Sequence, residues 1–182
     1  MLEIRWHGRG GQGAVTAAEI LAHAAISEGK YAQAFPSFGA ERRGAPIVVF
    51  NRFDESEIRI RSEIYEPDIV VVLDSTLLNT VNVTEGLKPN GLLIINTALS
   101  ASEALEKYKF TFKIFTVNAS KIALEVLGVP IVNTAMIGSI VKAVSLLKLD
   151  SVNEVVKERF GKIGEKNINA ITRAYNETLS GV

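Results

Sequence analysis

The stretch IRWHGRGGQGAVTAAEIL, residues 4–21, constrains this chain more than any other. An apolar, strand-like run passes into four glycines within six residues and from there straight into a helical pattern. A strand, a tight turn and a helix in that order fold back into layers, which points to an α/β architecture. The turn also gathers unpaired backbone N–H groups at the positive end of a helix, a receptor for phosphate or carboxylate. Gly8, Gly10 and Gly13 match the G-x-G-x-x-G spacing of a dinucleotide fingerprint. That fingerprint also requires an Asp or Glu about 20 residues further on to hold the ribose hydroxyls. The corresponding stretch, KYAQAFPSFG, has no acid; Glu28 falls too early and Glu41 lies in a loop beyond Pro36. Nicotinamide binding is disfavoured, and the spacing alone also suits a tight turn that holds no ligand.

Beyond the turn, apolar runs bounded by Gly, Pro and Asp alternate with segments of helical period. DIVVVLD (68–74), GLLIIN (91–96) and FKIFTVNA (112–119) have the near-continuous apolar character of central parallel strands. PIVVFNRF (46–53) and the alternating EIRIRSEIY (57–65), joined by an acidic turn, are expected to form an antiparallel hairpin. The helical segments are 13–29, closed by Gly29, then 119–128, 133–148, 151–161 and 165–179. Ser151 with Glu154 suggests a capping box for the fourth of them. The expected fold is one three-layer Rossmann-like α/β domain over residues 1–182, with a mostly parallel central sheet, an antiparallel hairpin and a helical C-terminal region.

Composition narrows the chemistry. The chain has no cysteine, so it supplies no thiolate nucleophile and no cysteine ligand to an iron–sulfur cluster. Any redox centre is expected on another chain. His7 and His23 stand alone, without the spacing of a metal site. Twenty basic and twenty acidic residues balance to zero, which leaves no basic field for nucleic acid. No apolar run approaches the roughly 20 residues that span a bilayer. The N-terminus enters a strand without a leader-like succession, so the expected location is the cytoplasm and no membrane contact is expected.

Two motifs carry a more specific resemblance. With Gln12 included the turn reads GRGGQG, and FPSFGAERRGAP follows at residues 35–46. Together with the later strands and the VNTAMIGSIVKA helix, in that order, the chain resembles the gamma subunit of the 2-oxoacid:ferredoxin oxidoreductases. The resemblance implies a multi-subunit enzyme that oxidatively decarboxylates a 2-oxoacid such as pyruvate. Thiamine diphosphate with Mg lies on the alpha and beta subunits, and [4Fe–4S] clusters sit on partner subunits. A delta subunit completes the complex, ferredoxin takes the electrons, and coenzyme A takes the acyl group. The gamma subunit is associated with coenzyme A access and is not catalytic alone. The small subunit of the related indolepyruvate enzyme is an alternative of the same kind. A free-standing nucleotide-binding Rossmann-type domain is another, and a plain interaction module with a vestigial loop is a third.

On the first reading Gly10, Gly11 and Gly13 provide close backbone approach to coenzyme A phosphates, in a turn with little room for a side chain. Gln12 either bonds a ligand or partner chain, or ties down its own loop. Arg42 and Arg43, in a loop stiffened by Pro36 and Pro46 with Gly39 and Gly44 as joints, suit bidentate capture of phosphate or interface carboxylates; the alternative pairs one of them with Glu41. Ser37 caps its turn or donates to a ligand. Asp74 and Asn96 fall at the carboxyl ends of two strands, where ligands collect, and Asp74 also suits the cap of the STLL turn after it. Asn133 and Thr134 either cap a long apolar helix or face a neighbouring subunit. His7 is read as structural, and no Ser-His-Asp or paired-carboxylate constellation is legible.

Overall fold

The computed structural model describes residues 1–37 and 43–181. The chain runs β1 (Leu2–Arg9), α1 (Ala14–Ser27), β2 (Tyr31–Pro36), β3 (Pro46–Asp54), β4 (Ile69–Val72), β5 (Leu92–Asn96), α2 (Ala101–Tyr108) and β6 (Lys113–Val117). It closes with α3 (Ala119–Leu127), α4 (Asn133–Ala143), α5 (Leu149–Phe160), α6 (Gly164–Glu177) and the short β7 (Leu179–Gly181). The strands form one sheet in the order β2-β3-β1-β4-β5-β6-β7. β1, β4, β5 and β6 are mutually parallel, while β3 runs antiparallel between β2 and β1, and β7 antiparallel beside β6.

Alternate residues of the central strands feed two cores, which is why their sequences read as unbroken apolar runs. Ile69 and Val71 face one layer with Ile4 and Trp6, beneath α1 and the helices from α3 to α6. Val70 and Val72 face the other with Leu93 and Ile95, beneath α2 and the turn around Leu77. Trp6 and Asn51 pair inside the larger core: Trp6 Nε1 donates to Asn51 Oδ1 at 2.9 Å, and Asn51 Nδ2 donates to Ala18 O at 2.9 Å. α4 and α6 cross so closely that a Cβ on Gly138 would overlap the Ile171 carbonyl. Only glycine fits there.

Two local expectations need correction. The antiparallel hairpin exists, but its arms are β2 and β3, and residues 57–65 form no strand. That segment lies irregularly over the sheet with Ile58 and Ile64 buried, held by Gln33 Nε2 donating to Ile58 O at 3.2 Å. An extended chain laid on an apolar surface buries side chains intermittently without a ladder, which accounts for the strand-like pattern. Ser151 caps nothing, because α5 starts at Leu149 after Lys148 with no side-chain cap. Lys148 N–H instead donates to Glu28 Oε1 at 2.7 Å.

Candidate functional site

The chain leaves β1 towards β2 and β3 on one side and returns to β4 on the other, so the carboxyl ends of β1 and β4 form a topological switch point. The glycine turn occupies it. Gly10 N–H donates to Ala45 O at 2.9 Å and Gly10 O accepts from Gly44 N–H at 3.0 Å, which clips the end of the β2–β3 loop onto the turn. Gly11 and Gly13 stand at φ 91° and 78°, a region L side chains rarely adopt. Gly13 precedes α1 with no side-chain cap, and the first turn of α1 holds no acid. Among the described residues the first N–H groups of α1 therefore have no intrahelical or side-chain acceptor. Steric room differs between the two glycines. A Cβ on Gly13 would lie 2.6 Å from Asn133 Nδ2, whereas at Gly11 the nearest atom among the described residues is Arg43 Cγ at 3.8 Å. Among the described residues the restriction at Gly11 is conformational rather than one of little room.

Gln12 takes the loop-tying role. Its Oε1 accepts from Arg9 N–H at 2.8 Å and its Nε2 donates to Asp74 Oδ2 at 3.3 Å. Arg9 is the centre of this lattice: Nε donates to Asp74 Oδ2 at 2.9 Å, Nη2 to Thr76 Oγ1 at 2.9 Å and Nη1 to Gly44 O at 3.2 Å. Asp74 also accepts from Thr76 N–H at 2.9 Å, capping the 3-10 turn after β4 as its sequence position suggests. Burial opposes ionisation of Asp74, but the bonds from Thr76 and Arg9 outweigh it and hold the carboxyl below its ordinary range.

A cavity of about 370 Å³ opens beside the turn. Gly11, Gly13, Thr16, Asn133, Lys166 and Asn167 give it a polar side, and Leu127, Val129, Ile131, Phe160 and Ile163 an apolar one. α4 also starts here with no side-chain cap, so two helix N-termini meet at one hollow. Asn133 lines the cavity, its Oδ1 accepting from Thr134 N–H at 2.8 Å. Thr134 is fully buried behind it and donates from Oγ1 to Asn167 Oδ1 at 3.0 Å, while Asn167 Nδ2 donates to Ile163 O at 2.9 Å. Thr134 thus supports the cavity wall and is not turned towards a neighbouring subunit.

The other expected residues scatter. Arg43 is exposed and lies against Gly11. Arg42, with Gly39 and Glu41, lies outside the described residues. Ser37 is directed away from the cavity, its Oγ donating to Glu63 Oε1 at 2.5 Å next to a separate hollow lined by Arg5 and His7. Asn96 binds within the sheet edge, donating to Leu73 O at 2.8 Å and accepting from Ser120 N–H at 3.1 Å. His7 accepts from Arg5 Nε at 3.2 Å, and burial together with the Arg5 charge lowers its pKa to about 4, so it is a neutral structural acceptor. Arg9 and Lys166 were not singled out from sequence. Arg9 sits inside the GRGGQG motif and was open to inspection, whereas Lys166 reaches the site on α6 with no local signal. Among the described residues no group of three His, Cys, Asp or Glu could hold a metal ion, and no helix is long and apolar enough to cross a membrane.

Comparison with known proteins gives a consistent result. The family model of pyruvate ferredoxin/flavodoxin oxidoreductase matches residues 3–177. The pyruvate/ketoisovalerate oxidoreductases common subunit gamma of Thermococcus kodakarensis is 59% identical over 181 residues, covering 98% of each chain. The crystal structure of pyruvate oxidoreductase subunit PORC from Thermotoga maritima superposes with a TM-score of 0.88 at 39% identity, covering 100% of this chain and 98% of that one. A 2-oxoglutarate:ferredoxin oxidoreductase from Magnetococcus marinus, solved with 2-oxoglutarate, coenzyme A and succinyl-CoA bound, matches with a TM-score of 0.74. It is 19% identical and covers 96% of this chain and 30% of that one, a likeness of fold.

Proposed function

This chain belongs to the pyruvate ferredoxin/flavodoxin oxidoreductase family as a gamma-type subunit, and from that premise we propose that its glycine-turn cavity receives the phosphate end of coenzyme A in the assembled enzyme. The enzyme it serves is a 2-oxoacid:ferredoxin oxidoreductase, acting on an oxo group. Its relatives name pyruvate and ketoisovalerate, which overturns the indolepyruvate alternative. Family membership also displaces the free-standing nucleotide-binding domain.

The observation that carries the proposal is the meeting of two helix N-termini, α1 and α4, at one cavity with Lys166 in its wall and Arg43 beside Gly11 of the turn. Free N–H groups and cations together suit a pyrophosphate or a ribose phosphate, and the apolar wall suits the uncharged parts of a long ligand. Gly13 lets Asn133 approach the turn, and Gln12 with Arg9 holds the turn open by bonding to Asp74 rather than to ligand. The named relative is common to enzymes for two oxoacids. A subunit shared between two substrates is suited to contribute what both reactions share, and coenzyme A is shared.

Coenzyme A, when bound, supplies the thiol that takes the acyl group. The residues of this chain bind and orient it and take no part in breaking the carbon–carbon bond. Alpha and beta subunits with thiamine diphosphate and Mg, [4Fe–4S] clusters on partner chains, a delta subunit and ferredoxin complete the proposed assembly, in the cytoplasm. Arg42 remains part of the proposal through its place beside Arg43 in sequence; Ser37 does not.

The test replaces Arg43 and Lys166 by alanine in the assembled enzyme. Two charge-assisted contacts at a partly exposed site, discounted for solvent, predict a rise of about tenfold in the KM for coenzyme A. The KM for the oxoacid and the rate at saturating coenzyme A should not move. An unchanged coenzyme A dependence in a fully assembled variant would remove the cavity from the reaction.

A further inference from the structure

Among the described residues β2 is the outermost strand of the sheet and pairs only with β3. Just beyond it, Ser37 N–H donates to Val48 O at 2.8 Å, continuing the β2–β3 register. Antiparallel ladders alternate between bonded and non-bonded pairs. Phe35, Gln33 and Tyr31 therefore turn their backbone groups towards β3, and Ala32 and Ala34 turn N–H and C=O outwards. Among the described residues nothing pairs with these outward groups. Such a row is a template for one more strand.

A groove of about 480 Å³ follows the same edge, lined by Ala32, Gln33, Ala34, Phe35 and Arg61. Arg61 is exposed; its Nη1 donates to Ile58 O at 3.2 Å and no carboxylate pairs with it among the described residues. The lining has no acid. Tyr31 and Ile60, adjacent in sequence to lining residues, are large apolar side chains left 48% and 45% exposed. The edge thus offers main-chain partners, apolar area and one positive charge.

The geometry points to β2 as a docking edge for a short extended segment of another subunit that carries Asp or Glu opposite Arg61. Pro36 has no N–H to offer, so the added ladder stops there and the segment is only about five residues long. A second copy of this chain fits worse, because a two-fold pairing of β2 with itself brings two Arg61 guanidinium groups into one groove. The inference rests on the chain's membership of a multi-subunit enzyme and is independent of the coenzyme A reading.

Amide exchange at Ala32 and Ala34, measured in the isolated chain and in the assembled enzyme, tests it. Both amides should slow by about tenfold or more on assembly. Arg61→Glu should lower recovery of the chain in the assembled enzyme while leaving its Tm unchanged. Ala34→Pro should do the same, since the Ala34 N–H is outside the β2–β3 ladder; Arg61→Glu decides if the proline variant does not fold. Equal exchange in both states would overturn the proposal. Slow exchange in the isolated chain that speeds up on dilution would assign the edge to a second copy and overturn the acidic segment. An unchanged coenzyme A dependence in the Arg43 and Lys166 variant, with exchange at Ala32 and Ala34 still slowed on assembly, would count against the cavity alone, so the two readings fail separately.

Discussion

Gly13→Ala is the substitution whose cost the geometry specifies best. At φ 78° an alanine is held in the left-handed region, which costs about 1–2 kcal/mol. Its Cβ would stand 2.6 Å from Asn133 Nδ2 and 3.0 Å from Asn133 Cγ, well inside contact distance. Asn133 is buried at the start of α4 and braced by its bond to Thr134, so it cannot swing aside freely. Overpacking of this kind costs about 1–3 kcal/mol, and the two terms together predict a loss of about 3 kcal/mol. Chemical denaturation of the isolated chain measures it. Asn133→Ala, combined with Gly13→Ala, removes the Nδ2 and Cγ contacts and keeps only the Cβ at 3.1 Å, so it should recover most of the steric share and leave the backbone share, a coupling of about 1 kcal/mol or more between the two sites. A Gly13→Ala chain within about 0.5 kcal/mol of the parent, or strict additivity with Asn133→Ala, would refute the contact between the turn and α4.

Other consequences are equally accessible. His7 should make the fold acid-sensitive: its pKa is lowered from 6.5 to about 4 in the folded chain, so between these values the unfolded chain binds the proton and the folded chain does not. Stability should fall by about 3 kcal/mol as pH drops through that window, and His7→Gln, followed by denaturant titration at several pH values, should flatten the loss. Gly138→Ala should cost about 3 kcal/mol by thermal unfolding, because the new methyl group collides with the Ile171 carbonyl at the α4–α6 crossing. Asp74→Asn should cost about 1–3 kcal/mol at neutral pH and little at low pH. The Asp74 pKa is depressed, so its contribution is present above the ordinary carboxylate range and is lost as pH falls through the folded value.

What was legible in the sequence follows from how local each cause is. The strand–glycine–helix unit, the central strands and most of the C-terminal helices rest on period and on turn residues and stand near their expected bounds, while α4 stops at Ala143, short of the expected 148, where Val144 turns to extended backbone. Asp74 was read as a cap because capping acts over two residues, and it accepts from Thr76 N–H. The error at 57–65 arose because period two reports side-chain burial and not strand pairing. Ser100 and Glu103 form the capping box of α2, a local signal of the same kind as the Ser151 and Glu154 pair, which caps nothing. The cavity itself was not legible: Asn133 and Lys166 join Gly13 through the packing of α4 onto α1 and of α6 onto α4, which brings together residues more than a hundred apart in sequence. Ser37 was misplaced for the opposite reason. It is close to the arginines in sequence, but its hydroxyl is held by Glu63 on the segment that covers the other face.

Amide exchange across residues 10–16 and 132–135 of the assembled enzyme, with and without saturating coenzyme A, tests the central claim most directly. Bound phosphate should accept from the N–H groups at the start of α1 and from those of Asn133 and Ala135 at the start of α4, where the Thr134 N–H already donates to Asn133 Oδ1, and slow their exchange by about tenfold or more. Unchanged exchange there, in an enzyme that turns over and is saturated with coenzyme A, would contradict the claim and place the coenzyme elsewhere.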